Sequence, residues 1–155
     1  IDIGGPALVR AAAKNYRDVT IICDTSQYDE LILHLQKNNC STSLKLREKL
    51  SSEAFNATAS YDSNIANYFN NITENSFPKK KTFAFKLHEK LRYGENPHQE
   101  ASVYIDGDYK LKQLNGKKLS FNNYSDIFAA LRISNALFTC ADSAKLACLV
   151  AKERI

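Results

Sequence analysis

The sequence contains no methionine, no C-x-x-C pair and no apolar run near the roughly 20 residues that a membrane-spanning helix needs. The last absence excludes a helical membrane protein and leaves a chain expected to work without a membrane partner. Its opening, IDIGGPALVR, lacks the basic start and apolar stretch of a secretory signal, so a cytoplasmic location is expected. A first residue Ile1, inside what reads as a strand end, together with the missing methionines, suggests that sequence upstream has been lost. The four cysteines, Cys23, Cys40, Cys140 and Cys148, are irregularly spaced, and no histidine stands at a zinc-ligand offset, so no metal site is expected. They read as reduced thiols, Cys23 at a buried strand end and Cys148 on an apolar helix face. A basic-aromatic repeat of the kind used by single-strand binders is also missing. The net charge of +4 gathers in Lys79-Lys80-Lys81 and Lys117-Lys118, which read as solvated turns, and no nucleic-acid partner is expected.

What is present is a globular composition, 44% hydrophobic and 25% charged, in a chain of 155 residues, about the size of one ordinary domain. The elements alternate. PALVRAAAKN, with Pro6 at a first helical position, reads as a helix, and the β-branched VTIICD as a strand. Ser26 can cap a helix over Tyr28–Lys37, closed by Asn38-Asn39. From Ser43, apolar Leu46, Leu50, Ala54, Ala57, Tyr61, Ile65 and Tyr68 recur at threes and fours, predicting one long helix or two with a bend. NNITENSFPKKK then turns polar and contains Pro78, the composition of a linker. Beyond it TFAFKL and SVYID alternate like strands, Asn115-Gly116 marks a tight turn, and Ser125 is placed to cap a helix over SDIFAALRISNAL.

Three stretches carry chemistry. In IDIGGPALVRAAAKN, Gly4 and Gly5 precede a helix whose first N–H groups can receive an anion, although a tight strand-to-helix turn explains the same glycines. Asp2, Arg10 and Lys14 can converge there, or Arg10 and Lys14 can line a solvated face. In LRYGENPHQ, Arg92 offers a planar fork for phosphate and Tyr93 a hydroxyl and ring. Asn96-Pro97-His98 forms a turn fixing two hydrogen-bonding side chains, unless His98 merely caps a neighbouring backbone group. LSFNNYSD places Asn122 and Asn123 just before a helix, where their spacing favours loop and cap roles over a functional one.

These stretches, with SLKLREKLSSEAFNATASYDSNIANYF between them, stand in an order that resembles the bifunctional formyltransferase/cyclohydrolase family of purine biosynthesis. The resemblance implies an α/β fold: the C-terminal part of an open parallel-sheet cyclohydrolase domain (1–72), a linker (73–81) and the start of an α/β formyltransferase domain (82–155). It implies the last two steps to inosine monophosphate, with purine ribonucleotide substrates, 10-formyltetrahydrofolate as co-substrate, no metal, and a homodimer. Asp2 and Lys14 match catalytic positions. Gly4, Gly5, Arg10, Arg92, Tyr93, Asn96, His98, Asn123 and Asn135 match or neighbour substrate-binding ones. The family's formyltransferase relies on a Lys-His pair, and no Lys-His dipeptide occurs here. FAALRI runs straight into SNALFT, which resembles a later strand start, so segments are expected to be missing near Ile133 and Cys140. The competing expectation is a non-catalytic nucleotide-binding or scaffold fragment.

Overall fold

Alanine-rich sequence makes the first helix, α1 (Gly4–Lys14), as expected from its helix formers, but it starts earlier than Pro6. The computed structural model describes residues 1–107 and 111–140. Gly4 and Gly5 are the first helical residues rather than a loop before the helix. Ile3 occupies the N-cap without a side-chain hydrogen bond, and the carboxylate of Asp2 takes that part by accepting from the Gly5 N–H at 3.3 Å.

The chain divides into two units, Ile1–Ala84 and a second from Phe85 onward. In the first, α2 (Tyr28–Lys37) has the expected bounds, but its entry is capped differently. A single 3₁₀ turn, Thr25–Gln27, precedes it, and Asp24 rather than Ser26 is the cap, accepting from Ser26 N at 2.8 Å. The third helix, α3 (Leu44–Ile72), is one continuous element of 29 residues, about 44 Å long. Ser43 caps it as expected, its hydroxyl accepting from Leu46 N at 3.2 Å. The buried stripe runs Leu46, Leu50, Ser51, Ala54, Thr58 and Ser63. Ala57 is exposed and Thr58 takes its place inside, where its hydroxyl bonds back to the Ala54 carbonyl at 3.2 Å. Tyr68 too is exposed.

Helix α1 packs antiparallel on α3: Ala13 lies opposite Ser51, Arg10 opposite Phe55 and Asp2 opposite Tyr61. Ala13 is fully buried, and the Ser51 hydroxyl donates to its carbonyl at 2.7 Å inside the seam. Small residues let the two backbones approach closely enough for that bond. Arg47 ties down the chain after α1, donating to the carbonyls of Tyr16 (2.9 Å), Arg17 (2.7 Å) and Thr42.

The expected strand Val19–Asp24 forms no ladder. A strand needs a neighbour, and among the described residues of this unit none is offered. Side chains serve instead: the hydroxyls of Thr20 and Thr42 pair at 2.7 Å, and the Gln27 amide oxygen accepts from Cys23 N (2.9 Å) and Asp24 N (3.1 Å). Cys23 is accordingly exposed rather than at a buried strand end, though partial burial still pushes its thiol above the usual 9.0.

In the second unit β1 (Lys86–Lys90) begins four residues beyond the expected Thr82 and pairs antiparallel with β2 (Ser102–Ile105), which lies where SVYID placed it. Among the described residues this is the sole ladder, and it is antiparallel. The pairing slips between Leu87 and Glu89, so His88 sits inside the strand at a bulge. The last helix, α4 (Phe121–Cys140), starts ahead of Ser125 and runs unbroken through Ile133 and Ser134, where a strand start was expected. Ser120 caps it: the Asn123 side-chain oxygen accepts from Ser120 N at 2.9 Å, and the Ser120 hydroxyl accepts from Asn123 N at 3.4 Å. Cys148 lies outside the described residues. No helix among the described residues is long and apolar enough to cross a membrane.

Candidate functional site

The first cluster is built at the two ends of α1. Asp2 is held twice. Its N–H donates to the Tyr61 hydroxyl at 2.7 Å, and its carboxylate folds over the start of α1 onto the Gly5 N–H. Gly5 is what permits this, because a Cβ there would lie 2.3 Å from an Asp2 carboxylate oxygen. Gly4 has no such neighbour. The expected convergence of Asp2, Arg10 and Lys14 does not occur. Arg10 lies over the Phe55 ring at 5.6 Å, a cation–π contact that draws its guanidinium towards α3. Lys14 is exposed in the last turn of α1, and the rise from Gly4 puts it about 15 Å away along the axis.

The second cluster joins two motifs that are far apart in sequence. Arg92 and Tyr93 leave β1, and their backbones are stitched to the entry of α4 by Arg92 N to Leu119 O and Phe121 N to Tyr93 O, each 3.3 Å. The Asn122 amide adds a bond to the Glu95 carbonyl at 3.3 Å. Arg92 stacks over its neighbour, guanidinium carbon 5.0 Å from the Tyr93 ring centre, and donates to the Tyr93 hydroxyl at 3.4 Å. Fork and ring are thus assembled side by side on an exposed loop. Asn122 and Asn123 belong to the first turn of α4 rather than to the loop before it, and Asn123 is engaged in the cap.

The turn after Gly94 leaves the Asn96 and His98 side chains on the surface. Both residues are exposed, and it is Gln99 that closes the turn: its side-chain oxygen accepts from Asn96 N at 2.9 Å and its carbonyl from Gly94 N at 2.7 Å. Asn135 lies within α4, its side chain outside the described set. Next to this loop a cavity of about 700 Å³ opens between β2 and α4, lined by Leu91, Tyr104, Phe121, Tyr124, Phe128 and Arg132 among others. Tyr124, one of the lining residues, is buried, its hydroxyl bonded to the Glu89 carboxylate. Among the described residues no group of three or more His, Cys, Asp and Glu is gathered as a metal would require.

Sequence reasoning missed Tyr61, Gln99 and Ser120. Tyr61 stood in the apolar periodicity of α3 and was legible as a packing residue only. Gln99 stands at the end of its motif, and Ser120 precedes two asparagines that have equal capping character by sequence.

A family model described as the AICARFT/IMPCHase bienzyme matches residues 12–153. The chain belongs to that family. It is 46% identical over 141 residues to the bifunctional purine biosynthesis protein PurH of Listeria monocytogenes, a match covering 87% of this chain and 28% of that relative. It is 47% and 48% identical over 138 residues to the PurH proteins of Lactobacillus delbrueckii subsp. bulgaricus and Limosilactobacillus reuteri, covering 85% of this chain and 27% of each relative. The chain therefore spans a little over a quarter of the length of these relatives. Asp2, Gly4, Gly5 and Arg10 lie ahead of the segment that the family model matches.

Proposed function

We propose that the full-length protein carrying this sequence performs the final two steps to inosine monophosphate: formylation of aminoimidazolecarboxamide ribonucleotide by 10-formyltetrahydrofolate, then dehydrative ring closure. The observation that carries the reading is the family match over residues 12–153, which takes in Lys14, the whole Arg92–Tyr93 cluster and residues of both units of the chain. On this reading residues 1–72 close an open parallel-sheet cyclohydrolase domain, 73–81 link it, and 82–155 begin the formyltransferase. The protein works as a cytoplasmic homodimer without a metal.

Ring closure requires the carboxamide nitrogen to attack the formyl carbon. The carboxamide nitrogen loses one proton as the C–N bond forms and the formamide nitrogen loses another, and the formyl oxygen takes up both and leaves as water while a C=N bond closes the ring. Asp2 is the group proposed to take the amide proton or to orient the amide, and Lys14 the one proposed to meet charge on oxygen. With the two at opposite ends of α1, both touch one molecule only if the ribonucleotide lies extended along the helix, with Gly4, Gly5 and Arg10 shaping its seat. In the second unit Arg92 and Tyr93 are proposed to hold the ribonucleotide, Arg92 by a forked contact to phosphate and Tyr93 through its ring and hydroxyl, with Asn96, His98, Asn123 and Asn135 in support. The folate is a co-substrate to which no described residue is assigned.

The test is ring closure by the full-length protein on formylated ribonucleotide, followed by absorbance, beside its Lys14→Ala variant. We expect turnover in the first and a loss of most of it in the second, with the fold intact, because an exposed lysine in the last turn contributes little stability. Absence of ring closure by the parent rejects the cyclohydrolase reading, and unchanged turnover in the variant reduces Lys14 to a surface residue. A second reading, a folded fragment that binds nucleotide without turnover, is favoured for the 155-residue chain by its coverage of only 28% of its Listeria relative.

A further inference from the structure

We infer that Tyr61 is a positioning residue for ring closure, holding the backbone of Asp2 so that its carboxylate is presented at the start of α1; the inference rests on the proposed role of Asp2. Tyr61 lies 59 residues away in sequence, on α3, and is half-buried. Its hydroxyl accepts the Asp2 N–H at 2.7 Å. This is a short, well-formed bond to a residue that precedes the helix and has no other backbone tether described. The second restraint acts at the other end of the residue, where the Asp2 carboxylate meets the Gly5 N–H at 3.3 Å. One hold fixes the main chain and the other the side chain. Without the first, Asp2 keeps only the contact of its carboxylate with Gly5.

The antiparallel seam explains why the hold comes from α3. Ser51 to Ala13 and Phe55 to Arg10 are successive contacts along the two helices, and Tyr61 to Asp2 is the next one beyond the end of α1. Ser51 and Phe55 bind α1 itself, whereas Tyr61 reaches past it. A phenyl ring in place of Tyr61 keeps the packing of the half-buried side chain and removes only the acceptor oxygen. A hydroxyl has one donor hydrogen besides its lone pairs, so accepting from Asp2 leaves that hydrogen available to a polar group brought beside the carboxylate.

The experiment is ring-closure kinetics of the full-length protein and its Tyr61→Phe, Gly5→Ala, Tyr61→Phe/Gly5→Ala and Asp2→Asn variants, with thermal unfolding and formyl transfer as controls of the fold. Tyr61→Phe is expected to lower kcat about tenfold or more with KM held within about twofold, as misplacing a reacting group by an ångström does. Gly5→Ala displaces the same carboxylate, so the two losses are expected to combine to less than their product. Formyl transfer and the unfolding temperature of Tyr61→Phe should stay at parental values. A kcat for Tyr61→Phe within twofold of the parent, or losses that multiply fully, overturns the inference while leaving the role of Asp2 standing if Asp2→Asn is inactive. Ring closure that survives Asp2→Asn overturns both.

Discussion

A single methyl group separates the two kinds of glycine in this chain. At Gly94, buried in the turn beside Arg92 and Tyr93, an added Cβ would lie 2.8 Å from the Gln99 Cβ and 3.4 Å from its amide oxygen. Gln99 closes the turn, so Gly94→Ala should push it off Asn96 and loosen the Arg92–Tyr93 platform. We expect ribonucleotide binding by the full-length protein to weaken about tenfold, equivalent to about 1.4 kcal/mol, in an isothermal titration. Gly4→Ala, facing open space, should leave folding nearly unchanged. Residue types announced these places without announcing who holds them. LRYGENPHQ was legible as a functional turn because arginine, tyrosine and Asn-Pro at that density have little packing use. That Gln99 rather than Asn96 or His98 supplies the closing oxygen depends on backbone direction, which the letters do not encode. Tyr61 was less visible still, since a tyrosine in register with an apolar stripe looks like core, and its polar use depends on a partner 59 residues away.

At the scale of elements, the helices were legible and the strands less so, for one physical reason. A helix completes its backbone hydrogen bonds within its own sequence, so Ser43 and the Leu46, Leu50, Ala54 spacing sufficed to place α3, and Tyr28–Lys37 was found with its bounds. A strand completes them with another segment. VTIICD has every local mark of one and forms no ladder among the described residues, while β1 starts where β2 lets it rather than where alternation begins. The α1–α3 seam shows what the pairing of helices asks for. Ala13 has no exposed surface, and its carbonyl receives Ser51 at 2.7 Å, so Ala13→Leu must either break that bond or part the helices. We expect a loss of about 1–3 kcal/mol in urea unfolding of the chain, from overpacking. The same variant in the full-length protein should lose ring closure more than formyl transfer, because α1 carries Asp2 with it.

For the molecule as a whole, the proposed function assigns ring closure to the first unit and formyl transfer to the second. General acid–base help is typically worth about 10²–10⁴ in rate, and no Lys-His dipeptide is present to give it to the ribonucleotide amine. His34 lies in α2, His88 in β1 and His98 in the turn, each on its own element. We expect the 155-residue chain to show no formyl transfer in a folate-coupled assay while still binding the ribonucleotide weakly through Arg92 and Tyr93; measurable transfer would mean that the reactive groups lie elsewhere. The second unit faces one more physical demand. A two-stranded ribbon has nothing but edges, and β1 and β2 pair only with each other among the described residues. Each outer side is a template on which another copy can add a strand, the first step towards a fibril. The slip at His88 breaks that template, because the extra residue puts Lys86 and Leu87 out of phase with Glu89 and Lys90 and kinks the edge between them. An incoming straight strand can match one half of β1 or the other, but not both, so the irregularity that complicates the hairpin also protects it from its own copies.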